Sequence, residues 1–274
     1  MMRRYSVAIL LLAGAAAAQT PASPFRDPNL EPLVRKYLPD NKPAEPLSPA
    51  KLLTATLVSG RDTPVSDLTG LEQCKNLRFL YLHASPITDL SPLAKLDHLE
   101  AVTIQGGKIH DLAPLAGLPK LEYLDLSQNE ISDLKPLANL KSLKYLYLSN
   151  NKITDLAPLE GLTNLQYLHL DGNQITNIAP LAALKKLVSV DLRKNQVKDI
   201  GPLSSITTWQ GLYLDQNQIT DVAPLLATAQ KDAKQIVVPV RTLSLIGDPL
   251  TAAARSSELP ELEKRMFDVV VEKR

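Results

Sequence analysis

Residues Ile131–Lys152 read ISDLKPLANLKSLKYLYLSNNK, and the next stretch, Ile153–Gln174, reads ITDLAPLEGLTNLQYLHLDGNQ. This 22-residue unit recurs without a gap from Val65 to Gln218, where seven copies fit. A fixed period of this length predicts a solenoid, because each unit buries its apolar face only against its neighbours. The pattern favours a binding function over a catalytic one and leaves the ligand unspecified.

The apolar and amide positions of the repeat have separate physical roles. Leu124 and Leu126 alternate on one side of a short parallel strand, so we expect both to point into the core. An asparagine follows each strand, and stacked buried amides can satisfy the backbone groups of adjacent turns. Ser85 and Gly107 interrupt this asparagine ladder, and Asp248 stands in the asparagine place after a predicted final strand. The ladder residues are Asn129, Asn151, Asn173, Asn195 and Asn217.

Proline and aspartate mark the opposite side of each repeat. Proline suits the first turn of a short helical segment, where its missing N–H is not needed. An aspartate three residues earlier can cap that turn. The prolines are Pro92, Pro114, Pro136, Pro158, Pro180, Pro202 and Pro224, and the aspartates are Asp89, Asp111, Asp133 and Asp155.

These residues resemble the 22-residue leucine-rich repeats of the bacterial internalins, with their I-T-D-L-x-P-L-x-x-L segments. A regulatory subunit of protein phosphatase one carries a similar repeat. The resemblance extends from about Leu52 to Leu250. It implies an α/β horseshoe solenoid with a parallel β-sheet on the concave face, short 3-10 or α segments on the convex face, and helical caps. It also implies protein or peptide binding inside the curve.

The chain is expected to have five parts. Residues 1–18 combine a basic start, an apolar run and small residues, which indicates a signal peptide and a secreted or periplasmic protein. A Pro-rich leader with a short helix (19–46) and an N-terminal cap (47–64) precede the leucine-rich repeats (65–240). Residues 241–274 are expected to form the last strand and a C-terminal helical cap. That helix should begin near Ser257 and bury Leu259, Leu262, Met266, Val269 and Val270.

Two cap signals precede the repeats. Asp27 followed by Pro28 predicts a short helix through about Leu38, and Ser48 followed by Pro49 predicts a second one. Helices here would cover the apolar cross-section that a solenoid exposes at its end.

Composition limits the possible partners. The chain has 30 basic and 29 acidic residues, and removing residues 1–18 takes away two arginines, leaving 28 against 29. This near-neutral balance does not favour nucleic acid as the main partner, and no later stretch is apolar enough to span a membrane. The single cysteine excludes an internal disulfide, and Cys74 and Trp209 align with core leucines. We expect a monomer.

Strand alternation predicts three columns of exposed side chains on the concave face. The first column is Phe79, Ala101, Tyr123, Tyr145, Tyr167, Ser189 and Gly211. The second is Tyr81, Thr103, Asp125, Tyr147, His169, Asp191 and Tyr213. The third is His83, Gln105, Ser127, Ser149, Asp171, Arg193 and Asp215. Six of the eight tyrosines fall in these columns. Aromatic residues favour strands in any case, but a contiguous aromatic surface is typical of an interaction site.

The partner-binding residues are predicted from these columns. Aspartates beside the aromatic residues suggest a ligand with an apolar stretch next to a basic group. Arg193 lies between Asp171 and Asp215, which favours a row of salt bridges over a metal site. The predicted set is Phe79, Tyr81, Tyr123, Asp125, Tyr145, Tyr147, Tyr167, His169, Asp171, Asp191, Arg193, Tyr213 and Asp215, with Tyr123, Tyr145, Tyr147 and Tyr167 at its centre.

The residues give less support to other functions. His169, Asp191 and Ser149 are the residue types of a catalytic triad, but no oxyanion hole, phosphate loop or metal motif accompanies them. No catalytic residue, cofactor or metal is therefore predicted. A glycan-binding module is an alternative, since tyrosine also stacks on sugars, and a structural component of an envelope assembly is another.

Overall fold

The computed structural model describes residues 23–39, 42, 45–208, 210–226, 241–264 and 267–272. The predicted signal peptide at 1–18 and the predicted core position of Trp209 lie outside these residues. No helix in the described ranges is long and apolar enough to cross a bilayer.

One parallel sheet runs through the described chain, with its strands in sequence order. Neighbouring strands from β2 to β8 are offset by one repeat, so Leu124, Leu146 and Leu168 stand opposite one another. The strands are β1 (Leu57–Gly60), β2 (Phe79–Leu82), β3 (Ala101–Ile104), β4 (Tyr123–Asp125), β5 (Tyr145–Tyr147), β6 (Tyr167–His169), β7 (Ser189–Asp191), β8 (Gly211–Tyr213), β9 (Arg241–Ser244) and β10 (Phe267–Val270). The horseshoe solenoid expected from the repeat is confirmed.

The core lies between the sheet and a row of short 3-10 turns. Leu124, Leu146 and Leu168 are fully buried, and burial of each such side chain stabilises the fold by about 2 kcal/mol. Cys74 is also fully buried, as predicted, and burial raises the pKa of its thiol to about 12. The turns are Leu71–Gln73, Ser91–Leu93, Ala113–Leu115, Lys135–Leu137, Ala157–Leu159, Ala179–Ala183 and Gly201–Ser205.

Aspartate and proline form these turns as predicted. Asp111 Oδ1 accepts a hydrogen bond from Ala113 N at 2.8 Å, and Asp155 Oδ1 accepts one from Ala157 N at 2.9 Å. Asn177 does the same for Ala179 N at 2.9 Å. The side-chain oxygen supplies an acceptor to a backbone donor that has no partner within the turn, so aspartate and asparagine are interchangeable here.

The buried asparagine after each strand connects successive repeats. Asn151 Oδ1 accepts a hydrogen bond from Ile131 N at 3.0 Å, and its Nδ2 donates to Leu126 O and Leu148 O, each at 3.0 Å. Asn129, Asn173, Asn195 and Asn217 also bond to the repeat before their own. The predicted ladder is confirmed.

The ladder changes in the first two repeats, as the sequence indicated. Ser85 Oγ accepts a weak bond from Val65 N at 3.4 Å. At Gly107 a β-carbon would lie 2.5 Å from Ile87 O, and Ile87 N bonds instead to Ser85 O at 2.7 Å. A larger residue would clash at that position, because its β-carbon would also lie 2.9 Å from Asn129 Oδ1.

The N-terminal end is covered by α1 (Leu30–Arg35) and α2 (Pro49–Leu52). Ser48 Oγ caps α2 as predicted, accepting a bond from Lys51 N at 3.3 Å. Helix α1 is shorter than predicted, and Asp27 does more than start it. Its Oδ1 accepts a bond from Asn29 N at 2.8 Å, and its Oδ2 accepts bonds from Ser66 N at 2.6 Å and Ser66 Oγ at 2.9 Å. The Asp27 carboxylate therefore joins the leader to the first repeat.

The C-terminal end differs from the predicted helix. A π-helical turn (Ala254–Glu258) leads into α3 (Leu259–Glu263), in which Leu259 and Leu262 are buried as expected. The prediction that Val269 and Val270 continue the helix was wrong. They belong to β10, which pairs in parallel with β9, so β9 is not the last strand. β-Branched valines favour this extended conformation, which continues the sheet by one more strand.

Asp248 takes the place of the ladder asparagine, as predicted. Its Oδ1 accepts bonds from Asn217 N at 3.2 Å and Ile219 N at 3.1 Å. Its Oδ2 is buried and has no hydrogen-bond partner. An asparagine would carry a donor at that atom, as Asn217 Nδ2 donates to Leu192 O at 2.9 Å. Burial raises the pKa of Asp248 to about 6, and the charge of Asp215 contributes to the rise.

We expect the substitution Asp248→Asn to remove a pH dependence of folding stability. The folded-state pKa of Asp248, about 6, lies above its ordinary 3.8. Below pH 4 the carboxyl group is neutral, so its burial carries no charge penalty. The cost of burying the charged carboxylate lowers the folding stability as the pH rises from 4 through 6. Relative to the variant, the wild type should lose about 2 kcal/mol of unfolding free energy between pH 4 and pH 6. Urea unfolding of both proteins across this range measures the difference, and a constant difference would contradict it.

Candidate functional site

The three predicted columns stand in register on the concave face. Tyr123, Tyr145 and Tyr167 of the first column are direct neighbours on β4, β5 and β6. In the second column, Tyr147 is the neighbour of His169. The common 22-residue offset places these side chains side by side.

Four tyrosines form one connected group, called here the tyrosine patch: Tyr123, Tyr145, Tyr147 and Tyr167. The ring centroid of Tyr123 lies 5.9 Å from that of Tyr145 and 5.3 Å from that of Tyr147. The rings of Tyr145 and Tyr167 stack at 5.1 Å. All four are half-buried. Each ring is thus held by another ring and still reaches solvent.

Phe79 and Tyr81 form a second, separate aromatic pair. Their centroids are 6.4 Å apart, and the Arg78 guanidinium lies 4.9 Å from the Phe79 ring centre. Between this pair and the tyrosine patch lie Ala101 and Thr103 of β3, which are small and buried. The structure therefore separates Phe79 and Tyr81 from the tyrosine patch.

Three phenols of the concave face, those of Tyr81, Tyr123 and Tyr147, are partly buried and neutral. Burial raises the pKa of Tyr81 and Tyr147. It raises the pKa of Tyr123 to about 12, and the carboxylate of Asp125 adds to the effect. These hydroxyl groups keep their protons at neutral pH and can donate hydrogen bonds to a ligand.

His169 packs edge-on against the tyrosine patch. Its ring lies 4.7 Å from that of Tyr147, at an interplanar angle of 83°. Burial lowers the pKa of His169, although the charges of Asp191 and Asp171 act in the opposite direction. The imidazole is therefore neutral at neutral pH and belongs physically to the aromatic group.

Two of the predicted exposed aspartates are buried. Asp125 is 7% exposed and accepts bonds from Gln105 Nε2 at 2.5 Å and Ser127 N at 3.0 Å. Asp191 is 2% exposed. Both point to the concave side, but neighbouring side chains cover them, which strand alternation alone does not reveal. Gln105 was not among the predicted site residues.

Arg193 pairs with Asp191, not with the aspartates beside it in its column. Its Nε lies 2.9 and 3.0 Å from the two carboxylate oxygens of Asp191, and its Nη2 lies 2.5 Å from Oδ2. The predicted salt-bridge row was wrong. Asp191 ends β7 and Arg193 follows two positions later, so both side chains lie on the concave side and form a bidentate contact. Asp171 instead accepts a bond from Ser149 Oγ, and Asp215 accepts bonds from Ser244 Oγ at 2.5 Å and Ile246 N at 2.6 Å.

Tyr213 lies flat against the sheet beside this ion pair. A β-carbon on Gly211 would be 3.0 Å from Tyr213 Cε2, so the ring lies over the glycine. The guanidinium of Arg193 covers the ring at 5.6 Å from its centre. Gly211 belongs to the first concave column, and its lack of a side chain makes room for the ring.

The residue types of a catalytic triad are present, but their contacts are different. The Ser149 hydroxyl donates a hydrogen bond to Asp171, and Asp191 forms an ion pair with Arg193. A serine–histidine–aspartate relay needs hydrogen bonds from serine to histidine and from histidine to aspartate. Within the described ranges, no group of three or more His, Cys, Asp or Glu side chains could hold a metal ion.

Comparison with known sequence families defines the class of protein. A model described as "Leucine rich repeat" matches residues 97–153, and one described as "Leucine Rich repeats (2 copies)" matches residues 141–183. No curated protein matches the sequence. The repeats, the sheet and the asparagine ladder are those of a leucine-rich-repeat solenoid.

Solved structures define the type of solenoid. Internalin C2 of Listeria monocytogenes is 36% identical with a TM-score of 0.71, and the match covers 74% of this chain and 92% of that one. Internalin F of the same organism is 30% identical with a TM-score of 0.77, covering 92% and 72%. The chain belongs to the internalin-type leucine-rich-repeat proteins.

A more distant match shares the fold alone. It is the ectodomain of the Arabidopsis thaliana receptor kinase GASSHO1/SCHENGEN3, solved in complex with CASPARIAN STRIP INTEGRITY FACTOR 2. It is 21% identical with a TM-score of 0.59, and the match covers 70% of this chain and 24% of that one.

The environment of His169 can be measured by its titration. We expect the His169 imidazole to titrate below its ordinary pKa of 6.5, because burial against Tyr147 disfavours the charged ring. The substitution Tyr147→Ala should raise that pKa by admitting water. An NMR pH titration of the His169 ring protons in the wild type and in the variant measures both pKa values. A His169 midpoint at or above 6.5 would exclude the packing described here.

Proposed function

We propose that this protein binds a protein or peptide partner on its concave face and has no enzymatic activity. The tyrosine patch is the observation that supports the proposal. We further propose that residues 1–18 direct the chain out of the cytoplasm, to the periplasm or the medium, where it acts as a monomer.

The tyrosine patch has the properties of a binding surface. A tyrosine offers a large contact area and loses little conformational entropy on binding. Mutual stacking, as between Tyr145 and Tyr167 at 5.1 Å, restricts the rings further before a partner arrives. Ordering that precedes binding reduces the entropic penalty of association. The neutral hydroxyl of Tyr147 adds hydrogen-bonding capacity.

A protein partner suits the ring geometry better than a glycan does. Sugar binding by aromatic residues requires a free ring face. The rings of Tyr145 and Tyr167 are nearly parallel, at 16°, so each covers one face of the other. Tyr147 meets the edge of His169 at 83°. A packed aromatic group of this kind resembles the hot-spot clusters at protein interfaces.

The test is differential capture with the purified protein. Wild type and a Tyr145→Ala, Tyr147→Ala, Tyr167→Ala triple variant are used to capture material from the envelope and medium of the source organism. We expect the wild type to retain a protein that the variant loses. The expected loss of binding free energy is about 2 kcal/mol per central aromatic residue, as for hot-spot residues at protein interfaces.

The controls separate binding from folding. A Lys135→Ala, Glu160→Ala, Lys198→Ala variant changes three exposed side chains outside the concave columns and should capture as the wild type does. Circular dichroism must show equal folding of all three proteins. Equal capture by the tyrosine variant and the wild type would refute the concave-face proposal, and ligand loss after glycosidase treatment would favour a glycan.

A further inference from the structure

The concave face has a surplus of negative charge. Its three columns from β2 to β8 contain four aspartates and one arginine, while the whole chain carries a net charge of +1 with histidine counted as neutral. Charge is therefore segregated to this face in an almost neutral protein. A concave surface lined by one sign of charge concentrates the field and attracts ligands of the opposite sign.

Arg193, the single lysine or arginine in the three columns from β2 to β8, does not cancel the surplus. Arg193 is committed to Asp191 through three contacts of 2.5 to 3.0 Å. Asp171 and Asp215 follow the neighbouring strands β6 and β8 at the equivalent position, one repeat to either side of Arg193. Burial keeps His169 neutral by lowering its pKa, so it adds no positive charge.

Neutral groups hold the two flanking aspartates in place. Asp171 accepts a bond from the Ser149 hydroxyl, and Asp215 accepts bonds from the Ser244 hydroxyl and Ile246 N. Hydrogen bonds from neutral donors orient a carboxylate without neutralising it. Both residues are half-buried and not covered by other side chains as Asp125 and Asp191 are.

The shape of the surface changes beside these carboxylates. In the first column, the ring of Tyr167 is followed by the small residues Ser189 and Gly211. Tyr213 lies flat over Gly211, under the Arg193 guanidinium. The tyrosine patch thus borders the part of the concave face that carries the small residues Ser189 and Gly211. Asp171 and Asp215 lie on one side of this part.

We infer that the partner is a protein presenting a basic segment, with an apolar side chain against the tyrosine patch and a lysine or arginine against Asp171 and Asp215. This inference rests on the proposed function and specifies the partner's chemistry. Charge at the edge of such a contact mainly governs specificity and the rate of association, and salt weakens it.

Labelled synthetic peptides of one length test the inference by fluorescence anisotropy. Each has a central leucine and tryptophan, flanked by lysines, glutamines or glutamates. We expect the purified protein to bind the lysine peptide on the order of tenfold more tightly than the glutamine peptide at low salt, and the glutamate peptide most weakly. High salt should reduce the difference.

A charge variant with a matched control completes the test. Asp171→Asn with Asp215→Asn keeps an acceptor for both serine hydroxyls and should abolish most of the lysine preference. Asp133→Asn with Asp155→Asn removes two exposed aspartates away from the concave face and should leave the preference intact. Asn177 already fills the equivalent turn position, accepting a bond from Ala179 N at 2.9 Å, so this control is expected to fold normally.

The outcomes separate this inference from the proposed function. Equal or tighter binding of the glutamine or glutamate peptide, an unchanged lysine preference in the Asp171/Asp215 variant, or no binding of the lysine peptide would each overturn the inference. The proposed function would still stand if the tyrosine variant lost its captured protein. It would fall if that variant captured as the wild type does.

Discussion

The buried amide after each strand is the interaction on which the rest of the structure depends. Asn151 bonds to the backbone of its own repeat and of the preceding one, and its equivalents in four other repeats do likewise. A buried backbone group without a hydrogen-bond partner costs about 1–3 kcal/mol of stability. Successive repeats must therefore keep the spacing at which these hydrogen bonds form. This constraint sets the 22-residue offset and hence aligns Tyr123, Tyr145 and Tyr167 in one column.

Sequence periodicity predicted the parts of the molecule that the offset controls. The strands, the core leucines, the ladder and the membership of each concave column follow from spacing alone. Contacts within a column also depend on side-chain length and rotation, which spacing does not specify. For this reason the partner of Arg193 and the burial of Asp125 and Asp191 were not predicted. Val269 and Val270 fit a helical spacing too, and only their pairing with β9 shows that they form a strand.

The two ends of the solenoid use aspartate in opposite ways. At the N-terminal end, burial tends to raise the pKa of Asp27, but donors from Ser66 and Asn29 prevail and lower it. That contact is stable near neutral pH and is lost on strong acidification. At the C-terminal end, Asp248 has an orphaned oxygen and a pKa of about 6, so acid relieves its burial penalty. At the asparagine position of the repeat, the carboxylate of Asp248 thus makes the folding stability depend on pH, whereas the amide of an asparagine does not titrate.

The central claim is that the partner covers the tyrosine patch. Hydroxyl-radical footprinting of the protein, alone and with its captured partner bound, measures this directly. We expect binding to protect Tyr145, Tyr147 and Tyr167 and to leave Tyr37, near α1, as reactive as before. Equal reactivity of the patch in the free and bound protein, with protection elsewhere, would contradict it.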